Sequence, residues 1–259
     1  MKKKICRLMC VLLASVSVGT MVSCGQKTEA VITTDGEEIT EAQKQYETMA
    51  VSTAEKFTYN DLAVRSLKYL MTEEQVRSAL GDPVSEYNSA EKKTTDDVIL
   101  EKVYSYNDLT LIFSKINGEY KLTAAASVSS QDTFARGLKV GDTIDDIMAM
   151  YYRDANCMNI DIYSEDKTTI LGKMLYGDYT METLDVIKPS DKVQYGMINF
   201  NGYESLEAAD SYIVEFTYFE PPYKSSYATI NDDFAQIAFD MDKEGVITAI
   251  RWYYYPEEA

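Results

Sequence analysis

The chain has 259 residues, 42 acidic against 25 basic, a formal net charge of −17 at neutral pH and 46% hydrophobic residues. It contains no histidine, which excludes Ser-His-Asp triads, Cys-His pairs and every histidine-containing zinc site. Because nucleic-acid binding needs clustered Lys and Arg to displace counterions from phosphates, this acidic balance predicts no nucleic-acid partner.

The first residues, Met1-Lys2-Lys3-Lys4 with Arg7 close behind, lead into an apolar run from Leu8 to Val18. A basic start followed by a short apolar run is the layout of a signal peptide, and the run falls short of the roughly 20 residues that a permanent bilayer-crossing helix needs. It closes with Met21-Val22-Ser23-Cys24-Gly25, which resembles a bacterial lipobox. The resemblance implies removal of residues 1–23, diacylglycerol on the Cys24 sulfur, and a protein held by that lipid on the extracytoplasmic face of the cell membrane. Loss of Lys2, Lys3, Lys4 and Arg7 leaves 21 basic residues against 42 acidic, a net charge of −21. Cys6 and Cys10 leave with the signal peptide, so Cys157 is the one thiol besides Cys24 in the mature chain, and no internal disulfide can form. Without a histidine to activate it, Cys157 reads as a small buried hydrophobe.

Residues 24–57, rich in Thr, Glu and Ala, are expected to form a flexible or partly helical spacer, with Glu37 to Glu55 its helical candidate. Beyond it the chain echoes itself. Leu70-Met71-Thr72-Glu73-Glu74-Gln75-Val76 continues to Leu80-Gly81-Asp82-Pro83, and Val140-Gly141-Asp142-Thr143-Ile144-Asp145-Asp146-Ile147 continues to Tyr151. Each copy predicts a helix capped by its Thr, with acids in the first turn and Gln75 or Asp146 as the capping-box partner. Gly81 and Pro83 end the first.

Strands follow each helix. Val98 to Tyr106, Leu109 to Ser114 and Lys121 to Val128 alternate or run apolar, with turn signals at Asn107-Asp108 and Asn117-Gly118. In the second half Val193 to Phe200, Tyr212 to Phe219, Phe234 to Asp240 and Val246 to Tyr254 read as strands, the last two joined by Asp242-Lys243-Glu244-Gly245. The expected fold class is therefore α+β, with two tandem helix-hairpin plus antiparallel-sheet domains at 58–135 and 136–259. The second carries an insertion near 155–192, with a short helix or a hairpin of its own.

Met71-Thr72-x-x-Gln75-Val76 followed by Leu80-Gly81-Asp82-Pro83 resembles the opening of the small outer-membrane assembly lipoproteins of BamE/SmpA type and of β-lactamase-inhibitor-protein-like tandem domains. Leu70 stands where those families prefer Gly, and the second copy lacks the Gln-Val and Gly-x-Pro. The resemblance implies fold and a role in binding through a sheet; since helix capping explains the motif, it implies nothing about catalysis.

No constellation for chemistry emerges. Asp240-Met241-Asp242-Lys243-Glu244-Gly245 has the opening rhythm of a calcium loop, but Arg251 occupies the place of the closing acid, so a hairpin turn explains it better and no metal or cofactor is expected. Glycine-rich phosphate cradles are missing and no catalytic residue is assigned. The stronger signal is aromatic: 21 tyrosines, and a last strand ending Arg251-Trp252-Tyr253-Tyr254-Tyr255, the candidate binding surface. Alternation puts Arg251, Tyr253 and Tyr255 on one face and Trp252 and Tyr254 on the other. Two readings stay open. In the first, a non-catalytic lipoprotein binds another envelope or extracellular protein through these residues; in the second, a carboxylate or metal site around Asp240, Asp242 and Glu244 makes an enzyme. The plain alternative for the rings themselves is that they fill the core and its margins.

Overall fold

The computed structural model describes residues 54–92, 98–155, 157, 160–163, 168–177, 193–219 and 234–255; the expected signal peptide, Cys24 and the expected spacer as far as residue 53 lie outside them. Helix α1 spans Glu73–Leu80 and α2 spans Ile144–Met150. Thr72 Oγ1 accepts from the Gln75 N–H at 3.2 Å and Gln75 Oε1 accepts from the Thr72 N–H at 2.8 Å, the reciprocal capping box that the sequence predicts. At α2 the expected box of Thr143 and Asp146 is also present: Asp146 Oδ2 accepts the Thr143 N–H at 2.8 Å, and the Thr143 hydroxyl donates to the same oxygen at 2.8 Å.

The echo extends beyond the helices. Just ahead of α1, Leu70 N–H donates to Leu122 O and Leu122 N–H to Met71 O, both at 2.8 Å. Ahead of α2, Gly141 N–H donates to Ile247 O at 2.9 Å and Ile247 N–H to Asp142 O at 2.8 Å. Thr72 bridges to Lys121 as Thr143 bridges to Val246. Leu70 and Gly141 occupy matching places and both are left-handed, with φ of +65° and +94°. The left-handed turn is why glycine suits this position; Leu70 tolerates it at a cost.

Strands β1 (Ala63–Val64) and β2 (Leu67–Lys68) form a small separate ribbon. Ten more build one antiparallel sheet: β3 (Ser85–Lys92), β4 (Val98–Tyr106), β5 (Leu109–Ile116), β6 (Glu119–Ser127), β7 (Asp161–Tyr163), β8 (Ile170–Tyr176), β9 (Val193–Asn199), β10 (Ser211–Phe219), β11 (Phe234–Asp242) and β12 (Ile247–Tyr255). The spatial order is β3-β4-β5-β6-β12-β11-β10-β9-β8-β7.

This corrects the expected fold class. The described chain is mainly β, with two short α-helices on one large sheet in place of two helix-plus-small-sheet domains. The join is between β6 and β12, where Ala124, Ala125, Ala126 and Ser127 pair with Tyr253, Trp252, Arg251 and Ile250. Two separate sheets would leave rows of unpaired N–H and C=O groups along both strands; pairing satisfies them. Caps and alternation are local signals, identical whether two sheets stand apart or fuse. β3 escapes the sequence reading because Ser-Glu-Tyr-Asn-Ser-Ala-Glu-Lys carries little apolar alternation, and β7 and β8 form the hairpin alternative within the expected insertion.

One face of the sheet carries the core. Trp252, Ile250, Ile237, Phe239, Phe216, Leu111 and Phe113 share one buried cluster with Val76 of α1, Ile147 of α2, and Phe57, Leu62, Val64 and Leu67 of the N-terminal segment. Fully burying such a side chain contributes about 1.5–3 kcal/mol. Room within the cluster is tight: a Cβ on Gly196 would lie 2.6 Å from the Phe216 ring and 2.8 Å from that of Tyr176, so only glycine lets β9 pass beneath these rings.

What ties the N-terminal segment down is Arg136. Its Nε and Nη2 grip Asp61 Oδ1 and Oδ2 at 2.6 and 2.8 Å. Nη1 donates to Glu55 O at 2.7 Å and Met150 O at 2.6 Å, and Nη2 also reaches Lys56 O at 3.0 Å. All five guanidinium N–H donors are thus used, and the ring of Tyr151 lies 4.0 Å away. A second stitch joins Arg65 Nε to the fully buried Asp132 at 2.5 Å.

Two outcomes follow. Arg136→Met strands the nearly buried Asp61 carboxylate and is expected to cost about 3–5 kcal/mol in urea unfolding, with Arg136→Gly no better although Arg136 itself is left-handed at φ +61°. Gly141→Ala meets no atom within 4 Å, so its expected loss of about 1–2 kcal/mol is backbone strain alone; a change below about 0.5 kcal/mol contradicts that account.

Candidate functional site

Alternation along β12 divides the sequence-derived candidates. Trp252 is fully buried in the core, and Tyr254 packs on that same face, its ring centroid 5.8 Å from that of Tyr59 and 5.2 Å from that of Tyr69. Trp252 therefore belongs to no exposed surface, and Tyr254, half-buried like Tyr253 and Tyr255, lines the margin of the core. Arg251, Tyr253 and Tyr255 share the opposite face, which we call the far face.

Cross-strand register supplies their neighbours. Arg251 stands between Ala238 of β11 and Ala126 of β6, and Tyr253 between Gln236 and Ala124. Small floor residues let the two long side chains lie low, and only 12% of the Arg251 side chain is exposed. Tyr255 lies opposite Phe234, its ring stacked on it at 4.2 Å, and Tyr253 stacks on Tyr255 at 5.9 Å. Three rings therefore form a ladder across two strands.

The charges beside the ladder are unevenly matched. Arg251 Nη1 is ion-paired to Asp240 Oδ2, and the pairing keeps the guanidinium charged against the desolvation that burial imposes. One strand further on, Glu215 lies opposite Ala238. Gln236 Nε2 lies 3.4 Å from both Glu215 Oε2 and Thr217 Oγ1, a long reach for a hydrogen bond. Burial pushes the Glu215 carboxyl up from its ordinary 4.5 to about 7; Arg251 and a hydrogen bond from Asn199 oppose the rise, while Asp240 adds to it. Burial likewise raises Tyr253.

Glu215, Gln236 and Phe234 complete a site of which the sequence reading named the β12 residues and, for a different role, Asp240. One signal was present: Ser-Tyr-Ile-Val-Glu-Phe-Thr-Tyr-Phe holds a single charged residue in a mainly apolar strand, on the face opposite Val214 and Phe216. Asp242 and Glu244 belong elsewhere. Asp242 Oδ1 accepts the N–H groups of Glu244 and Val246 at 3.0 and 2.8 Å, so the calcium-like rhythm is a hairpin turn, and Asp240 is drawn away to Arg251. Cys157, expected to be buried, is half-buried, its Sγ 3.6 Å from Gly177 O. No family model matches the chain, and comparisons with curated proteins and with solved structures return no match.

The sign of the Glu215 effect on stability is fixed by its direction. Below pH 4.5 the carboxyl is protonated folded or unfolded; between 4.5 and 7 the folded form retains a proton that the unfolded form gives up, so stability falls as pH rises. Glu215→Gln should therefore stabilise the protein at pH 8 by at most about 3 kcal/mol, less after solvent screening, and make no difference at pH 4. Paired urea titrations at the two pH values measure it.

Proposed function

We propose that this is a lipoprotein anchored through Cys24 on the extracytoplasmic face of a cell membrane, and that it binds another envelope or extracellular protein without catalysing a reaction. The observation that carries the reading is the grouping of Arg251, Tyr253 and Tyr255 on the sheet face turned away from the helices. Tyr and Arg are enriched in the energetic centres of interfaces because they combine large contact area with directed hydrogen bonds. The stacked ladder holds its rings in place, so little side-chain freedom remains to be lost on binding.

The carboxylate-enzyme reading draws less support. Asp240 is committed to Arg251 and Asp242 to backbone N–H groups, so neither offers a free carboxylate to a metal or a substrate. The anchor rests on the lipobox resemblance of Met21 to Gly25.

A photo-crosslinking amino acid placed at Tyr255 in the membrane-anchored protein is expected to trap one stoichiometric partner, and the same group at Thr248, at the opposite end of the strand, to trap none. Tyr253→Ala should abolish the Tyr255 crosslink while leaving the thermal transition cooperative. An unchanged crosslink in Tyr253→Ala argues against the far face. Replacing Cys24 by Ser should release the protein from the membrane fraction; retention would remove the anchor.

A further inference from the structure

The sheet ends in two unlike edges, β3 at one end of the strand order and β7 at the other. An edge strand turns half of its N–H and C=O groups away from its neighbour, and proteins blunt such edges by shortening, bulging or covering the strand. β7 follows that rule: it has three residues, and its register with β8 shifts between Ile162 and Tyr163. β3 does not. It runs eight residues, Ser85–Lys92, in one unbroken register with β4 and with no proline inside it. It is also open: every residue from Val84 to Asn88 is exposed, Val84 by 73% and Tyr87 by 53%.

This edge is complementary to itself. Two copies of β3 paired antiparallel are related by a twofold axis through the sheet, and their faces match only if the axis passes through a residue pair, because successive residues point to opposite faces. A register centred on Ser89 sets Glu86 opposite Lys92 twice, Tyr87 opposite Glu91 and Asn88 opposite Ala90. Opposite charges directly across two antiparallel strands attract. The register centred on Asn88 sets Glu86 opposite Ala90 and loses both pairs, and the one centred on Glu86 sets two carboxylates against each other. Glu86 can take a second cation, since it meets Arg77 of α1 through Oε2 and its side chain remains 58% exposed. The unequal edges also limit assembly. Joining β3 to β3 uses the long edge of each copy and leaves the short, irregular β7 outside, so the contact closes at two chains.

We propose that β3 is the interface of a twofold dimer, in which a second copy of this chain adds its own β3 antiparallel about Ser89 and makes one sheet of two. The surface is separate from the far-face residues of β12, which lies four strands away in the order, and does not depend on them. Eight residues a side fall well below the roughly 20–30 of a standard interface, so the pairing is weak and reversible. The net charge of −21 on each mature chain opposes it at low salt.

The test uses the mature chain carrying Cys24→Ser at physiological salt. Sedimentation equilibrium is expected to give a mass that climbs from one chain toward two, and no further, as protein rises from about 10 to about 500 μM. Lys92→Glu sets like charges opposite each other at both ends of the register and should weaken the dimer at least about fivefold. Adding Glu86→Lys exchanges the partners and should restore most of the loss. Ser89→Cys stands on the axis, where opposed Cα atoms are about 4.5–5.5 Å apart, and should give a disulfide-linked dimer under a mild added oxidant. Ser85→Cys lies on the same face but about 27 Å from its counterpart, and should give no more than the parent chain, whose Cys157 sets the background. A monomer at every concentration, a dimer indifferent to Lys92→Glu, or equal disulfide yield at 85 and 89 would overturn the proposal. If the charge variants do not fold, the two cysteine variants decide. A photo-crosslinking amino acid at Tyr87 in the membrane-anchored protein separates the occupants: an adduct of twice the chain mass supports a second copy, and an adduct with another protein overturns it in favour of a foreign strand. The Tyr255 crosslink reads the far face and is expected to persist in Lys92→Glu.

Discussion

The fold depends on a single guanidinium having somewhere to put every hydrogen. Arg136 joins four parts of the chain that sequence keeps apart: Glu55 and Lys56, the 3-10 turn Tyr59–Asp61, the end of α2, and its own crossing between the two halves. A buried ion pair contributes little net stability compared with apolar packing, since desolvation offsets most of the attraction. What it contributes is selection. Any arrangement that moves the N-terminal segment off the core takes away the partners of four of the five donors, and each donor left buried and unmatched costs on the order of 1–3 kcal/mol. The backbone accepts a left-handed residue at Arg136 to make that match possible. Arg65, also left-handed, repeats the device at Asp132.

With that segment fixed, the sheet can be one piece. The two halves pin their helices identically, through Leu122 on β6 and Ile247 on β12, and these strands are neighbours. The halves are therefore related about the seam, and the helices and N-terminal segment cover a shared core on one side. The same seam makes the far face continuous. Ala124 and Ala126 belong to the first half and Arg251 and Tyr253 to the second, so the floor beneath these long side chains exists only because the halves pair.

Local chemistry was legible in the sequence, and partnership was not. Thr72 and Gln75 announce their capping box because cap and partner lie three residues apart, and the apolar strands from Val98 onward announce themselves by alternation. Leu70 is instructive in the other direction: its departure from the glycine of the resembled families marks a place where both copies of the repeat turn left-handed. Arg136 looks like any surface arginine until Asp61, 75 residues away, is brought to it. Glu215 and Arg251 are likewise 36 positions apart in sequence and two strands apart in space. Alternation correctly divided the last strand into faces, but which face held the core depended on what packed against it.

That division gives the polar cluster its meaning. Arginine 136 and arginine 251 are both largely buried and both bonded to an aspartate, yet their surroundings differ in one respect. Around Arg136 every donor is matched and the charges balance, as expected of a device that holds a fold together. Around Arg251 a second carboxylate, Glu215, is met among the described residues by the amides of Gln236 and Asn199, on the face opposite the main cluster and at a cost to stability whenever it ionises. A hydrophobic residue at 215 would continue the pattern of Ile213 and avoid that cost.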